Sequence, residues 1–226
     1  MGMSANAAEI RRVVRRAIPL RTPDKPAQGA YHVDAPSMQR RLGLLTRLAT
    51  PRERVLLVGD DDLTSLCLHW LGYSDLTVVD FDAELLDIVR RESKRKVVTV
   101  EHDLRGAYRG RLPKLGKSCD LFITDPPYGP DGLRVFAGVG IGALRVGGRG
   151  VIVAPAARVA GSSVRDPLSL GVALQAFIAA NASALEDIEP SCQRSHHGTV
   201  SSMLVLRRVK KRAVDWSALE GAEVFY

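Results

Sequence analysis

Residues 54–65 read RVLLVGDDDLTS, in which four apolar residues, 55–58, lead into a glycine and three consecutive aspartates. A short apolar run that ends in a turn signal is typical of a strand buried on both faces. Residues 63–70 follow the aspartates directly and have the pattern of a helix. A strand, a tight loop and a helix in this order predict the first βα unit of a parallel sheet.

The rest of the chain repeats this alternation of apolar runs and amphipathic stretches. Further strands are predicted at 76–79, 97–100, 121–124, 151–154, 185–188 and 200–206. Helices are predicted at 5–18, 37–48, 83–91 (capped by Asp82), 133–139 and 168–180. The sequence therefore predicts an α/β, Rossmann-like fold, with a mostly parallel seven-stranded sheet and helices on both faces. We expect this domain at 54–208, after a helical arm and connector at 1–53 and before a tail at 209–226.

Charge is distributed unevenly along the 226 residues, whose formal net charge is +7. Residues 1–53 hold ten of the 32 Lys and Arg residues but only four of the 25 Asp and Glu residues. A basic arm of this kind is a solvated surface or a nucleic-acid contact, and both interpretations remain open. The three cysteines are widely spaced and predict reduced core thiols. No apolar run is long enough to cross a bilayer, so we predict no membrane contact and a cytoplasmic location.

Acidic residues follow the first four predicted strands, at the edge of the sheet where open parallel sheets bind ligands. Asp80, about 20 residues beyond Gly59, has the position from which an acid binds ribose hydroxyls in nucleoside-binding folds. A helix cap or a solvent-facing side chain is the alternative. Asp103 is the corresponding candidate for an adenine amino group, or a turn former. The predicted nucleoside-binding residues are Gly59, Asp80, Phe81, Asp103 and Leu104.

The loop after the first strand has three aspartates where nucleotide-binding folds have glycines. Glycine-rich loops offer backbone amides to an anion, whereas adjacent carboxylates repel anions and attract an ammonium group. We therefore predict a cationic ligand beside this loop, with Asp60 as a catalytic residue and Asp61 and Asp62 as substrate-binding residues. As an alternative, Asp61 or Asp62 caps the following helix.

The turn after the fourth strand, Asp125-Pro126-Pro127-Tyr128, is the second candidate for a functional element. Two prolines make the turn rigid and remove two amide donors while their carbonyls remain acceptors. An acid at its start and an aromatic ring at its end are suited to holding an amine. We predict that Asp125 is catalytic and that the other three bind substrate. A purely structural turn is the alternative.

Two further residues, Tyr31 and His196, are predicted to bind substrate at the rim of the site. His196 and His197 are adjacent and point in different directions, so a metal site shared by both is not expected. Trp216, Phe225 and Tyr226 in the tail either form a lid or pack on the body of the domain.

The motif at 59–65, followed by Asp80, Asp82 and the turn at 123–127, resembles the branched-chain polyamine synthase, or bis(aminopropyl)spermidine synthase, family over residues 28–208. The resemblance implies a class I methyltransferase-like fold and an aminopropyl transferase. Such an enzyme takes decarboxylated S-adenosylmethionine as its donor, uses no metal and releases methylthioadenosine. By this resemblance Asp60 lies beside the attacking amine and the donor sulfur, and Asp125 positions a small amine or polyamine acceptor.

Two other functions remain open, as does a homodimer. An Asp-Pro-Pro-Tyr turn is also typical of S-adenosylmethionine-dependent methyltransferases that act on planar exocyclic amines of nucleobases, for which the basic arm would supply nucleic-acid contacts. The third hypothesis is a non-catalytic nucleoside-binding scaffold.

Overall fold

The structure is a computed structural model that describes residues 5–25, 31–156, 167–195, 199–217 and 219. Within these ranges the helices are α1 (Ala7–Ala17), α2 (Ala35–Leu48), α3 (Thr64–Trp70), α4 (Ala83–Glu92), α5 (Pro130–Ala143) and α6 (Pro167–Ala180). The strands are β1 (Val55–Val58), β2 (Leu76–Asp80), β3 (Val98–Glu101), β4 (Cys119–Thr124), β5 (Leu144–Pro155), β6 (Ser183–Arg194) and β7 (Val200–Arg208). Short 3-10 helices span Ile18–Leu20 and Leu104–Arg109.

The seven strands form one sheet in the order β3-β2-β1-β4-β5-β7-β6. Neighbours from β3 to β5 pair in parallel, whereas β7 runs antiparallel to both β5 and β6. The prediction of a Rossmann-like, mostly parallel sheet is confirmed. The chain order reverses between β1 and β4, so the loops after these two strands diverge and leave a crevice at their carboxyl ends.

Both faces of the sheet are covered by helices because alternate residues of the central strands point to opposite faces. Val55 and Leu57 of β1 belong to a buried cluster with α1 to α4. Leu56 and Val58 belong to a second cluster with α5 and α6. The basic arm is part of this core, because Ile10, Val13 and Val14 of α1 are buried in the first cluster.

The arm and the tail also make aromatic contacts with the domain. The guanidinium of Arg16 lies 3.8 Å from the ring centroid of Trp70. Trp216 of the tail packs beside Phe177 of α6, with 6.5 Å between ring centroids. Phe225 and Tyr226 lie outside the described residues.

All three cysteines are buried and unpaired, as predicted. Among the described residues, no helix is both long enough and apolar enough to span a bilayer.

The ring of Phe122 on β4 is packed tightly against two glycines of neighbouring elements. A Cβ atom at Gly150 of β5 or at Gly140 of α5 would overlap this fully buried ring. Glycine at these positions therefore lets α5 and β5 approach β4 closely. This packing fixes α5 directly after the turn that carries Asp125.

We expect Gly150→Ala to lower the free energy of unfolding by about 1–3 kcal/mol, because the added methyl group overpacks the core. Denaturant unfolding followed by circular dichroism measures the change. Gly171→Ala in α6 is the matched control, since its Cβ atom meets nothing within 4 Å. That control should stabilise the helix by up to about 1 kcal/mol. Equal effects of the two substitutions would contradict this account of the packing.

Candidate active site

Most of the predicted site residues lie at the carboxyl ends of β1, β2 and β4, where three acidic loops lie side by side. Parallel pairing aligns Val58 of β1 with Val79 of β2 and with Thr124 of β4. The Thr124 hydroxyl donates to the Val58 carbonyl at 2.7 Å and fixes the two strand ends together. The loops that begin at Gly59, Asp80 and Asp125 therefore form one cleft.

The loop after β1 turns sharply because two of its residues have left-handed backbone angles. Gly59 has φ 76°, and a Cβ atom there would lie 3.2 Å from the ring of Phe136. Leu63 has φ 58° although it is not glycine, and its N–H donates to the Asp60 carbonyl at 2.8 Å. The turn directs Asp60 into the interior and starts α3 at Thr64.

Asp60 is a buried carboxylic acid that is held by one serine. It is 3% exposed, and the Ser65 N–H lies 3.2 and 3.3 Å from its two oxygens. The Ser65 hydroxyl also donates to Oδ2. Burial raises the pKa of Asp60 to about 8, against the two Ser65 hydrogen bonds, which favour the ionised form. Asp60, and not Asp61 or Asp62, therefore caps the first turn of α3.

Asp61 is half-buried at the mouth of this loop, and its Oδ1 accepts the Asp62 N–H at 3.0 Å. Burial raises the pKa of Asp61 well above its usual value, and the neighbouring charges of Asp62 and Asp125 add to this effect. The described residues bring no basic side chain into a salt bridge with either Asp60 or Asp61. Within the described residues, Asp80 also has no salt bridge and accepts backbone N–H groups instead.

Asp62 is 1% exposed and is neutralised by arginines that precede the first strand. Its Oδ2 lies 2.9 Å from Nη1 of Arg41, and its Oδ1 lies 3.0 Å from Nη2 of Arg21. Burial raises the pKa of Asp62, but Arg41, His32 and Arg21 outweigh burial and lower it to about 2. The Val33 N–H also donates to Oδ1 of Asp62 at 3.1 Å. The oxygens of Asp62 thus anchor the arm in this structure, and substrate binding by Asp62 stays a prediction.

The arm segment, residues 21–25 and 31–33, lies across the carboxyl ends of β1 and β2. Arg21 joins the two halves of the segment, because its Nη1 donates to the Val33 carbonyl at 2.8 Å. Lys25 forms a salt bridge with Asp82 at the start of α4. Asp82 caps α4 as predicted, accepting the N–H groups of Glu84 and Leu85 at 3.1 and 3.3 Å. The arm is thus fastened to both loops that border the cleft.

The Asp125 carboxylate is held on both sides. One oxygen accepts from Nη2 of Arg41, and the other accepts the Tyr128 hydroxyl at 3.2 Å. The Tyr128 oxygen is also 2.6 Å from Oγ of Ser201 on β7. Burial raises the pKa of Asp125, although Arg41 opposes the shift. Pro126 is buried and Pro127 is partly exposed, so the turn presents Asp125 and Tyr128 to the cleft as one hydrogen-bonded unit.

Arg41 is the residue that connects these loops, and it was not among the predicted site residues. It is 2% exposed and reaches from α2 to Asp62, Asp125, Thr64 and Gln193. One signal was present in the sequence. Arg41 lies three residues after Met38 and four before Leu45, so it occupies the apolar face of α2, where a charged residue requires buried partners.

The predicted nucleoside side of the cleft is less enclosed. Asp80 accepts the Asp60 N–H at 3.1 Å and the Asp82 N–H at 3.0 Å, and burial raises its pKa. Phe81 is exposed and Leu104 is buried. The Asp103 carboxylate forms a salt bridge with Arg105, with 2.7 Å between Oδ2 and Nη2.

Substrate binding by Tyr31 and His196 at the rim stays a prediction. Tyr31 is 37% exposed beside the cleft. His196 lies outside the described residues.

Comparisons with known proteins concern the sequence family and the fold. Residues 32–164 match the family described as the branched-chain polyamine synthase A C-terminal domain. Over 97 residues, 41% of this chain, the sequence is 41% identical to an uncharacterized protein of Methanocaldococcus jannaschii, of which it covers 24%. The N(4)-bis(aminopropyl)spermidine synthase of the same organism is 35% identical over 97 residues, 40% of this chain and 27% of that protein. The matches thus span about a quarter of these relatives' length.

One solved structure extends the similarity to nearly the whole fold. The branched-chain polyamine synthase from Thermus thermophilus, in complex with N4-aminopropylspermidine and 5'-methylthioadenosine, superposes with a TM-score of 0.76. It shares 21% identity, and the match covers 96% of this chain and 70% of that one. At this identity the superposition establishes the shared fold.

Proposed function

Since this chain belongs to the branched-chain polyamine synthase A C-terminal domain family, we propose that it transfers an aminopropyl group from decarboxylated S-adenosylmethionine to an amine nitrogen. The observation that carries the proposal is an excess of buried acid over base at one end of the sheet. Asp60, Asp61, Asp80 and Asp125 all have raised pKa values. A cationic ligand would lower them, so it would bind with the carboxylates ionised.

The reaction is a displacement in which the protein supplies orientation and charge stabilisation. The amine lone pair attacks the propyl carbon next to the sulfonium, the carbon–sulfur bond breaks, and its electrons return to sulfur as neutral methylthioadenosine. The new ammonium then loses a proton. Asp60 is the acceptor that we assign to this proton, since a pKa of about 8 in the empty site places it near neutrality.

The other acids would divide the binding of donor and acceptor between them. Asp80, which accepts the Asp60 N–H, would bind the ribose hydroxyls. Asp103 would bind the adenine once the ligand displaces the guanidinium of Arg105 from its carboxylate. Asp61 faces the mouth of the cleft without a basic partner and would bind an ammonium group. Asp125 and Tyr128, held together by their hydrogen bond, would orient the attacking nitrogen.

The donor is tested by identifying the nucleoside product. The protein is incubated with decarboxylated S-adenosylmethionine or S-adenosylmethionine and a mixture of amines, and the products are analysed by mass spectrometry. We expect methylthioadenosine and an amine heavier by one aminopropyl group from the decarboxylated donor. S-adenosylhomocysteine with a methylated amine or nucleic acid would instead indicate a methyltransferase. Turnover of neither donor would favour the scaffold hypothesis.

Ser65→Ala tests the role of Asp60 through pH. The substitution removes the hydroxyl that donates to the carboxylate, so the pKa of Asp60 should rise further. The acidic limb of the pH–rate profile, which reports ionisation of the base, should therefore move to higher pH. Initial rates of methylthioadenosine release between pH 6 and 10 measure it, with the exposed Ser74→Ala as control. An unshifted limb would show that Asp60 is not the titrating base.

A further inference from the structure

Two of the five aspartates in the site already have a cation, and Arg41 supplies it to both. Its Nη1 donates to Asp62 at 2.9 Å, and its Nη2 donates to Asp125. Arg21 also contacts Asp62 but not Asp125. Asp60, Asp61 and Asp80, by contrast, form no salt bridge within the described ranges, although the charge of Arg41 also acts to lower the pKa of Asp61. Two aspartates of the site are therefore paired with arginine, and three have no salt bridge.

The guanidinium cannot easily move away from this position. Oε1 of Gln193 accepts from its Nε at 2.9 Å and its Nη2 at 2.6 Å, and Oγ1 of Thr64 accepts from Nη1 at 3.3 Å. Because arginine only donates, these contacts also fix which end of the Gln193 amide faces it. Gln193 is 1% exposed. Arg41 is thus a fixed positive charge in the floor of the cleft.

We propose that Arg41 determines acceptor specificity by setting how many positive charges the site accepts. This inference rests on the proposed function, since it concerns the amine acceptor of that reaction. A linear polyamine carries several ammonium groups along one flexible chain. An ammonium that reached the space between Asp62 and Asp125 would meet a fixed cation there instead of uncompensated negative charge. The site therefore favours amines whose charges are satisfied by Asp60 and Asp61 alone.

Binding of an amine series to charge variants tests the proposal. Calorimetry at constant ionic strength measures the affinity of a linear diamine and a linear tetra-amine for each protein. In Arg41→Met the ratio of tetra-amine to diamine affinity should rise by about tenfold or more, since Asp125 loses its arginine and Asp62 keeps only Arg21. Arg41→Lys keeps a positive charge and should keep the wild-type ratio. Arg47→Met removes an exposed arginine of the same helix, paired with Glu189, and should also keep it.

Loss of Arg41 leaves Asp62 only partly compensated in the interior and can prevent folding. Arg41→Gln also removes the positive charge but keeps a buried amide that can donate to Asp62 or Asp125, which limits the destabilisation. Its ratio of tetra-amine to diamine affinity should also exceed that of the wild type, but by less than in Arg41→Met.

The outcomes separate this inference from the proposed function. A folded variant in which a neutral residue replaces Arg41, and whose affinity ratio equals that of the wild type, overturns the inference alone. A wild-type protein that binds no amine contradicts the proposed function, and the inference falls with it.

Discussion

Asp60→Asn is expected to lower the rate of aminopropyl transfer by about 10²–10⁴-fold, because the amide cannot accept the proton of the new ammonium. The fold should persist, since an asparagine oxygen can still accept from the Ser65 N–H and hydroxyl. Methylthioadenosine release measures the rate, and calorimetry of methylthioadenosine shows whether the nucleoside still binds. Asp87→Asn, on the exposed face of α4, is the matched control and should retain full activity.

The same substitution should raise stability at alkaline pH, and the sign follows from the pKa. In the folded protein the pKa of Asp60 is about 8, well above the usual value of 3.8. Between these values the folded state keeps a proton that the unfolded state has released, so the stabilising contribution of Asp60 falls as pH rises from about 4 to 8. Asparagine cannot ionise. The Tm of the variant minus that of the wild type should therefore be larger at pH 9 than at pH 5.

Either of two results would contradict this assignment. Retained turnover in Asp60→Asn would move the proton acceptor elsewhere, with Asp61 and Asp125 as the next residues to test. A Tm difference that does not change between pH 5 and 9 would mean that Asp60 ionises freely in the folded protein.

Asp62→Asn is expected to cause the largest loss of stability, about 3–5 kcal/mol in the free energy of unfolding. The substitution leaves Arg21 without its carboxylate and leaves Arg41 with only Asp125 as a partner, both in the interior. For a chain of this length the Tm should fall by about 6–20 °C. Denaturant unfolding measures the loss. Limited proteolysis within 21–33 should also become faster, because the arm loses its anchor.

A surface pair provides the comparison for this prediction. Glu189→Gln breaks the exposed salt bridge to Arg47 and should cost at most about 1 kcal/mol. The pKa of Asp62 is lowered to about 2, so its stabilising contribution is present above about pH 4 and is lost as pH falls through 2. If Asp62→Asn and Glu189→Gln have similar effects at pH 7, the buried anchor is not what holds the arm.

Most of the fold could be predicted from local patterns. The bounds of β1, 55–58, are those predicted, because Arg54 and Gly59 mark the two ends of its run of four apolar residues. β5 and β6 are longer than predicted, at Leu144–Pro155 and Ser183–Arg194. Their added residues are mostly polar or glycine, or are interrupted by proline, and carry no alternation. They are extended because β5 pairs with β4 and β7, and because β6 pairs with β7.

The acids of the site could be found from the sequence, but not their roles. Asp60, Asp61 and Asp62 are adjacent and chemically identical, and the sequence predicted catalysis by Asp60 and substrate binding by Asp61 and Asp62 beside one cationic ligand. In the structure Asp60 is a buried acid with a raised pKa that accepts hydrogen bonds from Ser65. Asp61 faces the cleft, and Asp62 anchors the arm through Arg41 and Arg21.

The sequence by itself determined a parallel α/β sheet with acids at its carboxyl edge, since apolar periodicity and the position of polar residues after strands are local properties. Only the tertiary structure decided which acids remain available to a ligand. That depends on Arg41, whose partners Asp62, Asp125 and Gln193 lie 21, 84 and 152 residues away along the chain. The pKa of a buried carboxylate depends on its nearest charges and on its access to water, and chain folding sets both.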